Sequence, residues 1–450
     1  MTVAATLAGF VIETDTSDLP DKAVDHAAML IGSTIASAAC GTSIPSAAIV
    51  RELARERGGI AEASIWFDAG PKLPVVAAAR ANAMMSDAAA SDDSDLRNIV
   101  HMGTPLTATS LAVAEKTGAD GRDILAAIVL GYEAAGRIGE AITPHYLEQG
   151  FHGCLVAIFA ATTAAARLLK LDAEQATHAI ALSATSIGGL HAAANTSVSR
   201  EYQAGLATML GIEAAMAARR GYTGEPAILE THHGFCEVFG NGGAERIVSD
   251  FGRDWDIVTD MALKLVPGGH PHHALAEAAA NAARDGDIVA ENVAAIILSR
   301  PGVTALSGPR HPANLIDMAH SPAYFMAAAV ADHRFGWEHA SPEKIADPRI
   351  HALIDTVRVG DPPAENADAY RQGATVTIET TDGKSVTNTV LVPKGSGCLG
   401  LDWADLDDKY RTLAPRAPLT DAQVEASLAV VHDFQRVENA AELIDILRPD

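Results

Sequence analysis

The densest set of residues able to handle protons or anions lies in LKLVPGGHPHHALAEAA, where Lys264, His270, His272 and His273 flank a Gly-Gly turn and a helix start. Backbone N–H groups at a helix N-terminus favour carboxylates and a lysine adds full charge, so the segment predicts an anion site. The competing reading is a loop whose histidines are solvated or cap the helix. His272 and His273 are adjacent rather than a turn apart, and no HExxH run or cysteine pair accompanies them, so no metal site is expected.

Three further segments carry candidates. In SDDSDLRNIVHMGTP, the acids Asp92, Asp93 and Asp95 precede His101 and can orient its imidazole, unless they form a solvated loop. In HYLEQGFHGC, His145, Tyr146 and His152 surround Gly150; Tyr or His exchanges protons where burial tunes it, and the alternative for His152 is a core histidine. In NTSVSREYQAG, Arg200 lies near Asn195, Thr196 and Gln203. Arginine grips a carboxylate through two parallel hydrogen bonds, the alternative being a surface ion pair with an acid such as Glu201. There is no GxSxG elbow or Walker loop, and GFGRDW lacks a preceding strand, so nucleophilic hydrolysis and nucleotide chemistry have no support.

The elements that must position these residues are mostly helices. From residue 22 to about 245 helical patterns follow one another, and GRDILAAIVLGYEAAGRIGEAI (121–142) puts Ile124, Ile128, Tyr132 and Ala135 on one face. Asp172 with Gln175, and Thr420 with Gln423, read as capping boxes. Near residue 260 the character changes: VAAIILS (293–299) is a β-rich run, and ATVTIETTDGKSVTNTVLV (374–392) alternates about the Asp382-Gly383 turn. SPAYFMAAAVADHRFG (321–336) returns to a helical period. The expected fold class is mainly α with an α/β part: a discontinuous all-helical domain (1–259 and 396–450) and a smaller inserted α/β lid domain (260–395), with ligands favoured where domains meet.

A chain of 450 residues is long for one core, and 48% hydrophobic with only 5% aromatic residues suits Ala-rich helix packing. The formal charge of −24 repels nucleic acid and opposes any anionic substrate, so a small polycarboxylate partner needs a local set of Lys, Arg and His. Cys40, Cys154, Cys236 and Cys398 are dispersed, which predicts reduced, mostly buried thiols and no iron–sulfur cofactor. Charges break the apolar runs before a membrane span is reached, and MTVAATLAGFVIETDTSDLP lacks a secretory pattern, so no membrane partner and a cytoplasmic location are expected.

At these segments the chain resembles the MmgE/PrpD family over nearly its whole length. The likeness rests on Asp92-Asp93 followed by His101, the GFH run at 150–152, Ala204-Gly205 after a polar turn, Lys264-x-x-Pro267 with His273, and the Ser-x-x-Tyr start of the 321–336 helix. It implies a helical domain interrupted by an α/β lid, a homodimer, no cofactor, and active-site roles for His101, His152 and Lys264. The sequence departs from decarboxylase and dehydratase relatives at Ala90, where they carry Asp, and at Arg200 and Gln203, where they carry Lys and His. Gly269 and His270 stand where the family often places a basic residue. The pattern is similar to the iminodisuccinate epimerase branch, which implies proton removal and return beside a carboxylate by a pair among His101, Tyr146, His152 and Lys264, with Arg200, Gln203, His270 and His273 binding carboxylates. The alternatives are a methylcitrate or aconitate type of hydro-lyase or decarboxylase, and an inactive polycarboxylate-binding protein.

Overall fold

Ala-rich, capped segments form helices because alanine loses no side-chain entropy, and the computed structural model, which describes residues 1–186 and 189–449, is mainly helical with small sheets. It divides into two units, one comprising Met1–Ala194, Val198–Leu263 and Gly400–Asp450, the other Lys264–Leu399 with Asn195–Ser197.

In the first unit, Asp172 and Gln175 cap the helix Ala173–Ala184 reciprocally, and Thr420 and Gln423 do the same for Asp421–His432. The helix Gly121–Ile142 buries Ile124, Ile128, Tyr132 and Ala135, and most of its other residues as well, so it is a central helix rather than one with a single apolar stripe. Close helix approach comes from small residues. A Cβ on Gly211 of the helix Ser199–Ala218 would lie 2.8 Å from the Ile158 carbonyl oxygen and 2.9 Å from the Thr162 nitrogen, both on the helix Cys154–Leu168. On the same helix, a Cβ on Gly205 would meet Met84 of the helix Val75–Ala88 at 2.6 Å.

Three details differ from expectation. The first unit contains a two-stranded antiparallel ribbon, β1 (Asp93–Asp95) with β2 (Met261–Leu263), in which Asp93 faces Leu263 and Asp95 faces Met261. The helix Asp21–Gly41 is long and apolar enough to cross a membrane, because its charges all sit in its first turns; 83% of its apolar window is buried inside the protein. Of the cysteines, Cys154 and Cys236 are buried, while Cys40 is half-buried and Cys398 exposed.

The second unit is built on a four-stranded sheet ordered β4-β3-β5-β6, with β3 Val293–Ser299, β4 Val357–Val359, β5 Ala374–Thr380 and β6 Ser385–Val390. β3 runs parallel to β4 and antiparallel to β5, and β5 and β6 form a hairpin whose turn places Gly383 at φ +88°. Alternation along β5 buries Ala374, Val376 and Ile378 with the helices His273–Asp285 and Pro322–Asp332, while Thr375 pairs with Thr389 and Thr377 with Thr387, each at 2.8 Å, on the other face. The Ser-x-x-Tyr run is a cap: Ser321 Oγ accepts from the Tyr324 amide at 3.2 Å, and Tyr324 Oη donates to the His339 carbonyl at 2.9 Å.

Gly211→Ala tests the close approach of two helices. Alanine improves helix propensity by about 1 kcal/mol, but its methyl meets backbone rather than a flexible side chain, and overpacking costs about 1–3 kcal/mol. The expected outcome is a lower melting temperature by calorimetry.

Candidate active site

The stretch 92–95 is not a solvated loop: Asp92, Asp93 and Asp95 are 1%, 0% and 0% exposed. Each carboxylate has donors. Asp93 Oδ1 accepts from the Gly103 amide at 2.9 Å, at the start of the helix Gly103–Thr117, and Asp92 Oδ2 accepts from Thr104 Oγ1 at 3.3 Å. Gly103 is required there, since a Cβ would lie 2.7 Å from Asp93 Oδ1. Asp95 Oδ1 takes the amides of Arg97 and Asn98 at 2.8 and 3.0 Å. Arg97 in turn pairs with Glu140, Asp256 and Asp260 at 2.8, 2.6 and 3.2 Å.

This segment fixes His101. Its Nδ1 lies 2.5 Å from the Asp93 carbonyl oxygen and 3.5 Å from Asp92 Oδ2. A carbonyl only accepts, so Nδ1 carries the proton and the lone pair of the neutral ring is on Nε2. His101 keeps 18% side-chain exposure.

His152 has the opposite tautomer. The Gly150–Cys154 stretch pairs with Gly189–His191: Phe151 bridges Leu190, the His152 amide donates to the Gly189 carbonyl at 3.0 Å, and the His191 amide donates to the Gly150 carbonyl at 2.8 Å. Just beyond, the Cys154 amide, at the start of its helix, donates to His152 Nδ1 at 3.4 Å. A backbone amide only donates, so the ring proton of neutral His152 is on Nε2. Burial, with the positive fields of His101 and Arg200 added, pushes its pKa down to about 3. The rings of His101 and His152 have centroids 6.4 Å apart.

Arg200 is buried, and its partner is Asp87 rather than the neighbouring Glu201: Nε donates to Asp87 Oδ2 at 2.9 Å and Nη2 to the Asp87 carbonyl. Burial works against its charge, but Asp87, Asp92 and Glu201 more than offset this and raise its pKa. Gln203, one turn further on the same helix, spends its amide N–H on the Leu190 carbonyl at 3.2 Å, and a Cβ on Gly189 would collide with its Oε1. Tyr146 is fully buried, donates to the Asn98 carbonyl at 2.7 Å, and has its pKa raised by burial. His145 is at the surface, against Gln149.

Within the second unit the structure brings together Lys264, His270 and His273, which are 2%, 1% and 4% exposed. Gly268, at φ +97°, and Gly269 let the loop lie against Ala319 and Phe325; a Cβ on Gly268 would be 2.6 Å from the Phe325 ring. The rings of His270 and His273 lie 4.9 Å apart. Burial, then the fields of His270 and Lys264, hold His273 well below the usual histidine pKa, so this ring offers hydrogen bonds rather than charge. Arg300 also belongs here, donating to the Pro271 carbonyl at 2.7 Å and to Gln372 Oε1 at 2.6 Å. Neither Arg300 nor Asp87 carries a sequence signal; both are tied in by contacts remote in sequence. Among the described residues no group of three His, Cys, Asp or Glu side chains is placed to hold a metal ion.

Residues 5–247 match the MmgE/PrpD N-terminal domain and residues 267–433 the MmgE/PrpD C-terminal domain. The chain is 26% identical to the cis-aconitate decarboxylase-like protein oryM of Aspergillus oryzae, over 97% of this chain and 93% of that one. It is 24% identical to human cis-aconitate decarboxylase over 96% and 91% of the two chains, and 25% identical to the Aspergillus terreus cis-aconitate decarboxylase over 96% and 93%.

Asp95 makes the buried acids testable. Burial raises its pKa to about 7, with Arg97 opposing and Asp260 adding to the shift. The folded state therefore binds more protons than the unfolded one across the interval from the ordinary carboxylate range to about 7, and this contribution to stability, full below that range, is lost as pH rises through 7. Asp95→Asn keeps an acceptor for the two amides and removes that loss. The melting temperature of the variant relative to the parent is expected to rise between pH 5 and pH 8, by on the order of a few degrees.

Proposed function

The chain belongs to the MmgE/PrpD family, and from that premise we propose that it is a cofactor-independent lyase that moves a proton at a carbon beside a carboxylate of an aconitate- or methylcitrate-like acid. The observation that carries the reading is the opposed tautomers of His101 and His152. His101 Nε2 offers the lone pair that takes or returns the proton, and Asp93 and Asp92 stabilise the imidazolium formed. When a bond to the reacting carbon breaks, its electron pair passes into the adjacent carboxylate. The Nε2–H of neutral His152 donates to the negative charge that develops there, as a preorganised donor that starts and ends uncharged.

In this assignment Arg200 and Gln203 are the carboxylate-binding candidates of the first unit, and Lys264, His270 and His273 are an anion-binding group within the second. Tyr146, its hydroxyl held by Asn98, steadies the loop that leads to His101. The lyase type is supported by the names of the relatives; homodimeric assembly and a cytoplasmic location belong to the same proposal. A second reading, epimerisation of iminodisuccinate, is favoured by one observation. Arg200 and Gln203 are poor proton donors, and Arg200 is tied to Asp87. Departure of a hydroxyl group needs an acid, whereas epimerisation needs only removal and return of one proton, or elimination to fumarate and re-addition.

Proton NMR in deuterated water, with metal-stripped enzyme and cis-aconitate, 2-methylcitrate or stereoisomers of iminodisuccinate, separates these readings. Loss of carbon dioxide or water from either of the first two acids supports the lyase. Stereoisomer interconversion with deuterium at the α-carbon supports the epimerase, and free fumarate marks its elimination route. Thermal protection without any deuterium uptake rejects both in favour of a binding protein. His101→Gln is expected to cut turnover by about 10²–10⁴. His152→Leu is expected to cost about 10²–10³, with part of the rate restored in His152→Gln, which keeps an N–H donor.

A further inference from the structure

Lys409 is 1% exposed, on the helix Trp403–Leu413, and its ammonium donates to Ser33 Oγ at 2.7 Å, to the Ser91 carbonyl, and to the Asp92 carbonyl at 3.5 Å. A buried ammonium is costly and persists where oxygens replace its water shell. The backbone it holds is under tension: Ala90, just before Ser91, sits at φ +52°, a region an L side chain rarely adopts. Ser91 Oγ lies 2.6 Å from Ser37 Oγ, so the segment is anchored on the side of the helix Asp21–Gly41. The next carbonyl along is that of Asp93, which holds His101 Nδ1.

We propose that Lys409 is a positioning residue for His101: by gripping the Ser91 and Asp92 carbonyls it aims the Asp93 carbonyl at Nδ1 and thereby keeps the lone pair on Nε2. The effect on turnover rests on His101 being the base of the proposed reaction. The effect on the ring does not, and is measured in ligand-free enzyme, so failure of one is distinguishable from failure of the other.

The measurement is the ring-nitrogen spectrum of ¹⁵N-histidine-labelled protein above the titration range of histidine, with the His101 signals identified by their loss in His101→Gln. The parent enzyme should show His101 as Nδ1–H. Lys409→Met should shift most of this population to Nε2–H, the form preferred by a free imidazole. Ser33→Ala, which removes one acceptor and leaves the ammonium, should shift it partly and decides the matter if Lys409→Met does not fold. Tyr410→Phe, which alters the same helix as Lys409 and removes its buried bond to Ser427 of the helix Asp421–His432, should lower stability without altering the His101 tautomer. A parental tautomer in Lys409→Met, or in Ser33→Ala where only that variant folds, overturns the proposal. So does a shift as large in Tyr410→Phe, because loosening the helix would then suffice.

Discussion

A carboxylate withdrawn from water must be given donors from the protein, and this constraint acts three times within four residues, at Asp92, Asp93 and Asp95. The donors come from the stretch just downstream: the Gly103 amide and Thr104 hydroxyl for Asp93 and Asp92, and the Arg97 and Asn98 amides for Asp95. Lys409 secures the carbonyls beside them. The pairing of β1 with β2, the start of the helix Gly103–Thr117 and the orientation of His101 all depend on this segment being satisfied. Moving one of its parts would leave a buried charge or carbonyl exposed to no donor, which explains why glycine is needed at position 103.

Electrostatics at the candidate site then follow from burial more than from net charge. The chain carries −24, yet the three histidines with strongly lowered pKa in the candidate groups, His152, His272 and His273, are held neutral by loss of water and by nearby positive groups. Positive charge at these places comes from arginine and lysine, and the imidazoles act through whichever nitrogen the backbone leaves available.

What could be read from the sequence was local. The run 293–299, the Asp382-Gly383 turn and the capping boxes at Asp172 and Thr420 each carry their signal within a few residues, and strand β3, the hairpin and both helix starts lie where those signals put them. β1 had no such signal: Asp-Ser-Asp has low β propensity and is a strand because distant residues pair with it. Arg200 reads naturally as a partner of Glu201, one residue away, but it binds Asp87, 113 residues distant in the chain. Lys409, in WADLDDKYRTL, looks like the solvated face of an amphipathic helix, and only the fold reveals its burial. The motif residues Gly205 and Gly150 are recognisable by resemblance, while their physical reasons, room for Met84 and a left-handed turn before the Phe151–Leu190 bridge, arise only in the folded chain.

The first unit is assembled from chain segments that lie on either side of the second. During synthesis, residues 91 and 92 leave the ribosome more than 300 residues before the lysine that holds their carbonyls. Proteins emerge at about 5–20 residues per second, so for tens of seconds the acidic segment exists without one of its anchors. Residues 264–399 precede the returning helix and are contiguous. The order of maturation is therefore inverted relative to the order of the sequence: the inserted unit can complete itself on the ribosome, whereas the unit that contains the N-terminus closes last.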